Sequence, residues 1–452
     1  MCVRVATFWL FWCAATLPSG GDAADAAEQM TYRRFRVTEE DGQVASIQPL
    51  PDAEPPLWAS RVSQQSWDWK ADAAGNEPLF VPPIPFVLPP PEGSGEPFFN
   101  HNHQPAITWC PNGDLLAIWY TTKGEQDPLL TVLASRLRAG GDAWDPSSEF
   151  FKAADRNMHG SAVFHDGEGT LFHFNGMAPE RGRGWSRLAL LLRTSTDNGV
   201  SWSVARPISS GAAFVKRNQV IAGPIRMKDG TLVLACDATP GGEGPSAIHV
   251  SRDGSGTWAD PGGDIRGIHA GVAEIAGGAL LAFGRAQPLD GKMPISVSAD
   301  LGKTWTYRPS PFPPIGSGQR LVLLRLAEGP LLLVSFTSAK RKDPGGIEFP
   351  DREGGSFIGR GMFAALSFDD GETWPVRKLL TPGSGTYAGG AHTGTFTASP
   401  TFAEPAGYLA ATQSPDSVIH LISSRLHYRF NLAWLEEPAR RPEAVPTPPH
   451  DS

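Results

Sequence analysis

Polar residues able to move protons or grip anions recur at one kind of place in this chain, immediately before an apolar run. In order they are His101, His103 and Gln104; Arg156, Asn157 and His159; Asn218 and Gln219; Arg266 and His269; Gln319 and Arg320; and His392. Five of the chain's 11 histidines fall in this set, and polar groups heading hydrophobic strands need a partner or a task. An imidazole titrates near neutrality and serves as general acid or base without a large shift. Arg285, Arg320 and Arg360 are permanently charged forks for a carboxylate or sulfate, while Asn and Gln suit hydroxyls. Together these describe a saccharide pocket in which two reactions fit. Hydrolysis of a glycosidic bond takes Asp127 or Asp155 as acid/base, with a histidine or a positioned water in support. Elimination from a uronate takes an arginine to neutralise the carboxylate and a histidine to remove the proton. Bonded imidazoles and water plugging a channel are the structural alternative. A divalent metal is a third use of clustered histidines, but only His101 and His103 form a short pair, so no metal ligand and no cofactor is assigned. His165, His173, His249, His420 and His427 lie within strands or at edges and read as packed or surface residues.

The elements that position these residues are repeats. Six stretches combine an apolar strand, a turn and a second apolar strand: "AITWCPNGDLLAIWY", "AVFHDGEGTLFHFN", "GPIRMKDGTLVLACD", "GVAEIAGGALLAFGR", "LVLLRLAEGPLLLVSFT" and "TFTASPTFAEPAGYLAA". Near-continuous apolar runs joined by Asn-Gly or Asp-Gly turns are hairpins buried on both faces. Between them recurs Ser-x-Asp-x-Gly-x-x-Trp, as Ser195–Trp202, Ser298–Trp305 and Ser367–Trp374, with displaced glycines in Ser251–Trp258. Looser versions run from Ser135 to Trp144 and from Ser423 to Trp434. In such a corner the Asp accepts bonds from its own turn, the Gly takes positive φ and the Trp packs the corner down. Six units over residues 100–435 make an all-β, six-bladed propeller whose strand heads meet at one opening. A strand at Thr31–Val37 is expected to complete the last blade, with the Pro-rich stretch at 81–97 as a linker within an N-terminal segment, 27–99. A loose tail is expected over 436–452.

Composition agrees with this architecture. Fifty Gly, 42 Pro, 14 Trp and 23 Phe in 452 residues suit short strands and tight turns. The net charge of −8 is spread without long runs of one sign, which recommends neither nucleic acid nor an anionic membrane surface as partner. Residues 1–26 carry one early Arg, a short apolar core and then small residues. They read as an export signal too short for a membrane span, and imply a secreted or periplasmic protein. Cys110 and Cys236, each ending an apolar run, read as buried thiols.

The repeated corners and blade spacing resemble the sialidase (neuraminidase) superfamily of six-bladed propellers, whose Asp-box repeats have this form. The resemblance makes Asp197, Asp300 and Asp369 structural. It implies an arginine triad for the substrate carboxylate, an Asp acid/base, and a Tyr nucleophile activated by a Glu. His103 falls where the first arginine belongs and His269 where the Glu belongs, while Arg285 and Arg360 match the other two arginines. His392 falls where the Tyr belongs, with Tyr387 close by. Asp127 matches the acid/base position, with Glu125 as alternative. The expected function is an exported glycoside hydrolase acting on an acidic or substituted glycan other than, or including, sialic acid. Its expected catalytic residues are His103, Asp127, His269 and His392, and its substrate-binding residues Gln104, Arg156, His159, Gln219, Arg285, Gln319, Arg320 and Arg360. A uronate-directed lyase and a non-catalytic carbohydrate-binding propeller are the alternatives.

Overall fold

The computed structural model describes residues 28–439 except 71–76, 183–184, 186 and 239–243. The expected export signal and the tail beyond 439 lie outside the described residues. Within them, six sheets follow one another along the chain, five of four strands and the first of six, four of which make the repeating unit. The first is His101–Trp109, Leu115–Thr122, Thr131–Leu137 and Ser148–Ala153. The second runs from Ser161–His165 through Leu171–Met177 and Ala189–Ser195 to Arg206–Pro207. In the third, Gln219–Val220 and Ile225–Arg226 share Leu232–Asp237, which pairs on its other side with Ser246–Ser251. The fourth is Ile268–Glu274, Leu280–Arg285, Pro294–Ser298 and Thr306–Pro309. The fifth is Val322–Arg325, Leu331–Phe336, Met362–Ser367 and Val376–Leu379. The sixth is Ala410–Gln413, Ile419–Ile422, Leu426–Phe430 and Phe80–Pro85.

The innermost strand of every sheet contributes to one axial cavity of about 370 Å³, walled by Ile107, Val163, Ile225, Val272, Leu323 and Ala411 among others. A shared axis lined by all six sheets is the propeller arrangement, and it explains the apolar hairpins, since inner strands face neighbours on both sides. No helix among the described residues is long and apolar enough to cross a membrane. Cys110 and Cys236 are buried free thiols.

The four corner motifs share one hydrogen-bond pattern. Ser195, Ser251, Ser298 and Ser367 each donate to the Asp two residues on, at 2.7–2.9 Å. That carboxylate accepts the backbone N–H four residues further along, at Ser201, Thr257, Thr304 and Thr373. The tryptophans are buried behind. Two successive residues are left-handed in every copy: Asn198/Gly199, Gly254/Ser255, Leu301/Gly302 and Asp370/Gly371. The second copy's displaced glycine therefore leaves Ser255 at φ 81°, where the other copies have Gly.

Two expectations about the ends are corrected. The strand that completes the sixth sheet is Phe80–Pro85, inside the stretch expected to be a linker. Tyr32–Glu40 instead pairs antiparallel with Gln43–Pro51 and parallel with Ser148–Ala153, extending the first sheet outward. Prolines 82, 83 and 85 are tolerated because the closing strand is outermost and needs ladder bonds on one side only. Tyr32 and Phe35 are buried, Phe35 stacking on Phe151 at 4.4 Å. Alternating with them, Arg34 reaches Glu149 at the outer edge. The tail expected from 436 is still held at its start: Lys378 Nζ donates to the Glu437 carbonyl, and Ala439 bridges Asp351.

Candidate functional site

The heads of the inner strands meet at one end of the axis, around a pocket of about 200 Å³. Two of these strands begin with a bulge. Pairing of the first hairpin jumps from His103 to Ala106, and that of the fourth from Ile268 to Gly271. The skipped residues include Gln104 at φ 54° and His269 at φ 57°, a conformation that costs non-glycine residues energy and re-aims side chains at strand ends. Close backbone approach fixes the fourth head: a Cβ on Gly284 would lie 2.1 Å from the Arg266 carbonyl oxygen.

Tyr408 lies at the centre of this pocket. It sits on a two-residue strand, Gly407–Tyr408, paired parallel with Gln319–Arg320. Its hydroxyl is 2.8 Å from His269 Nε2 and accepts a bond from Arg285 Nη1 at 2.9 Å. Behind, His269 Nδ1 makes a bent 2.6 Å contact with Asp237 Oδ2. The other oxygen of Asp237 accepts the His269 backbone N–H at 2.7 Å and the Ser246 hydroxyl at 3.3 Å. Burial, and then Arg285, depress the His269 imidazole to about 4, against the opposing pull of Asp237. At neutral pH it is an uncharged base aimed at a phenol. Burial raises the Tyr408 phenol, and Arg285 counters this.

A second group lines the opposite wall. Glu125 accepts bonds from Tyr120 Oη at 3.0 Å and His101 Nε2 at 3.2 Å. Burial alone would raise its carboxyl, yet these bonds and nearby His159 hold it down at about 2. His159 packs between Tyr120 and Trp185, and burial lowers it to about 4. The His103 ring is centred 3.8 Å from that of Tyr408, tilted by 46°, and 4.5 Å from His392, edge-on, and burial holds it neutral.

The structure thus brings together His103, His159, Gln219, His269, Arg285 and His392 from the expected set. The other expected site residues are engaged elsewhere. Gln104 donates to the Val220 carbonyl, and Gln319 to those of Ser338 and Pro405. Arg156 is buried against Glu39 and the Ala178 carbonyl. Arg320 is an axial strut, its guanidinium donating to the carbonyls of Leu409, Ile221 and Pro105. The Asp127 carboxylate caps its own turn at Leu129 N–H, which leaves Glu125 as the carboxylate in the pocket. Arg360 is exposed, on a segment bridged to Phe402. One arginine of the three expected forks therefore lines this pocket.

The sixth unit is also shifted from its expected place. Its inner strand is Ala410–Gln413, whereas Gly385–Ala388 and Thr395–Ala398 form a separate hairpin. His392, at φ 65°, belongs to the turn of that hairpin and reaches the pocket from its lip. Tyr387 stacks on Phe396 in the same hairpin.

Sequence comparison fits this architecture. The model of the BNR repeat-like domain family matches residues 113–421. The chain belongs to this family. It is 25% identical over 412 residues to a sialidase of Micromonospora viridifaciens, covering 80% of this chain and 55% of that one. It is 32% identical over 126 residues to a sialidase of Bacteroides fragilis strain YCH46, covering 27% of this chain and 23% of that one. The chain thus spans about half, or less, of the length of these relatives.

Solved structures agree in fold. NanB sialidase from Streptococcus pneumoniae, in complex with 2-[(3-chlorobenzyl)ammonio]ethanesulfonate, superposes with a TM-score of 0.53 at 12% identity, over 82% of this chain and 73% of that one. The intramolecular trans-sialidase from Ruminococcus gnavus, in complex with oseltamivir carboxylate, gives 0.51 at 13% identity, over 77% and 98%. A protein of unknown function from Dyadobacter fermentans gives 0.51 at 16%, over 78% and 99%. These likenesses show a shared fold.

Within that frame, Tyr408 and Asp237 are residues that sequence reasoning missed. Each had a signal. Tyr408 follows a glycine just before the short run "LAA", and Asp237 is an acid closing the apolar strand "LVLACD".

Proposed function

We propose that the protein is an exported glycoside hydrolase of sialidase type, acting on an acidic or otherwise substituted glycan, with Tyr408 as nucleophile. The observation that carries the reading is the chain from Tyr408 Oη to His269 Nε2 and on to Asp237, beside Arg285. A phenol is a weak nucleophile until a base takes its proton, and a base works best when a third group fixes its orientation. In the proposed first step the Tyr408 oxygen bonds to the anomeric carbon while its proton passes to His269, and the glycosidic C–O bond breaks, the departing oxygen taking a proton from solvent. Arg285 receives the substrate's anionic group. Water then attacks the anomeric carbon and releases a proton to solvent, the bond to Tyr408 breaks, and His269 returns its proton to the phenolate. The relatives named as sialidases support the reaction class.

One observation favours a second reading, uronate elimination. Among the described residues Arg285 is the one arginine lining the pocket, beside neutral imidazoles and the Tyr408 phenol, a set that can neutralise one carboxylate and take a proton beside it. The test is a panel of acidic glycans assayed for reducing ends and for ultraviolet absorbance. Hydrolysis gives reducing ends without a new chromophore, and Tyr408→Phe lowers its rate about 1,000-fold. A fluorinated glycoside should leave a covalent mass adduct on Tyr408. An unsaturated chromophore in place of the adduct decides for elimination. Binding without turnover across the panel would make the propeller a lectin and remove both readings.

A further inference from the structure

Three side chains from separate segments converge at the lip of the pocket, outside the Tyr408 relay. His101 heads the first inner strand, Glu125 lies in the loop after that hairpin, and His392 lies in the turn of the 385–398 hairpin. One ligand-capable atom of each lies within 4.8 Å of the other two. The two imidazoles stand 5.6 Å apart and nearly perpendicular, at 85°. His101 Nε2 is 3.2 Å from Glu125 Oε1, and the Tyr120 hydroxyl donates to that same oxygen at 3.0 Å. His103 is next in line, its ring 5.5 Å from His101 and 4.5 Å from His392, with a buried Nε2 that has no hydrogen-bond partner among the described residues.

We infer that His101, Glu125 and His392 form a binding site for a divalent transition-metal ion, of the zinc type. Two imidazoles and one carboxylate are a ligand set for such ions, and three protein ligands leave a coordination position open toward the pocket. The Tyr120 hydroxyl on Glu125 is the kind of outer partner that orients a ligating carboxylate. Arg341 competes for the site: its Nη1 lies 3.1 Å from His392 Nδ1, so loading the ion turns the imidazole or moves the guanidinium aside. His392 is exposed on a hairpin turn and has room to do so. The ion would add positive charge at the lip of a pocket lined, among the described residues, by one arginine, Arg285, and its open position would receive an anionic group of the substrate. That role rests on the proposed glycan reading, whereas the site itself does not.

The test uses zinc alone on the full chain after chelation and dialysis, followed by calorimetry and by elemental analysis of the gel-filtered protein. One zinc per chain is expected. Glu125→Gln and His392→Asn should each weaken it about 100-fold or more; Asn is chosen because it tolerates the left-handed backbone at 392. Cobalt substitution should give visible bands of a tetrahedral site in the parent and lose them in both variants. Tyr408→Phe should bind zinc as the parent does, so a failed nucleophile and a failed metal site give separate results. No stoichiometric zinc in the parent, or equal uptake by parent and both lip variants, overturns the proposal.

Discussion

Asp237 is fully buried, and its oxygens face only His269 and Ser246 among the described hydrogen-bond and ion-pair contacts. A carboxylate so placed fixes which nitrogen of the imidazole carries the proton: Nδ1 keeps it, and Nε2 stays free to accept from Tyr408. Asp237→Asn keeps the volume but turns a donor toward Nδ1, moving the proton to Nε2. Turnover should fall about 100-fold or more with KM little changed and the melting temperature nearly so. The pH profile carries a signature as well. Because His269 protonates at about 4, the acid limb of kcat/KM in the parent should lie near that value. Asp237 raises this pKa, so its removal should move the limb further down. A variant with the parent's rate and an unmoved limb would dismiss His269 as the base. The sequence exposed His269 and Arg285 because they open and close one long apolar hairpin, where an ionisable group is conspicuous. Asp237 closes a hairpin in the same way, but it passes for the polar end of a strand until His269 is seen beside it.

Among the elements, the corners were legible because their pattern is local: a serine, an aspartate and a glycine bond within eight residues, and no distant segment is needed. The one irregular copy exposes its own cost. Ser255 holds φ 81° where three other corners have glycine, and its backbone bonds to Ser251, Arg206 and Trp258 keep it there. Ser255→Gly should remove the strain of a side chain in the left-handed region, offset in part by a freer unfolded chain. A gain of about 0.5–1 kcal/mol is expected, read as a shifted denaturant midpoint with an unchanged slope. No gain, or a loss, would mean that the Ser255 side chain contributes packing that outweighs the strain. The sixth unit was illegible for the opposite reason. Its inner strand, Ala410–Gln413, is short and only half-buried. The stretch "TFTAS" nearby has an apolar pattern that mimics an inner strand one hairpin too early, which hides Tyr408. The closing strand was misplaced similarly, since three prolines in Phe80–Pro85 argue against a strand unless its edge position is already known.

Over the whole molecule, buried ionisable groups of opposite habit set the pH range of the fold. His159 and His269 are held at about 4 and His420 at about 3, each by burial first. Their folded pKa values lie below the unfolded value of 6.5, so the unfolded chain binds the extra protons as pH falls below that value, and stability is lost on the acid side. Each such histidine contributes a slope of up to about 1.4 kcal/mol per pH unit. Glu404 acts in the opposite direction. It is fully buried, accepts the Tyr428 hydroxyl at 2.8 Å and is pushed up to about 8 by burial. A carboxyl raised above its unfolded value of 4.5 holds its proton in the folded chain, so the stability it confers is present below that value and is lost as pH rises through 8. The same residue underlies the 385–398 hairpin: a Cβ on Gly389 would lie 2.8 Å from its Oε1. Glu404→Gln keeps the shape and the bond from Tyr428 but cannot ionise. Parent and variant should melt alike near about pH 5, and the variant should be more stable by about 1 kcal/mol or more near about pH 9. Melting curves across that range decide the point, because two parallel profiles would mean that Glu404 does not change its charge state differently in the folded and unfolded chain.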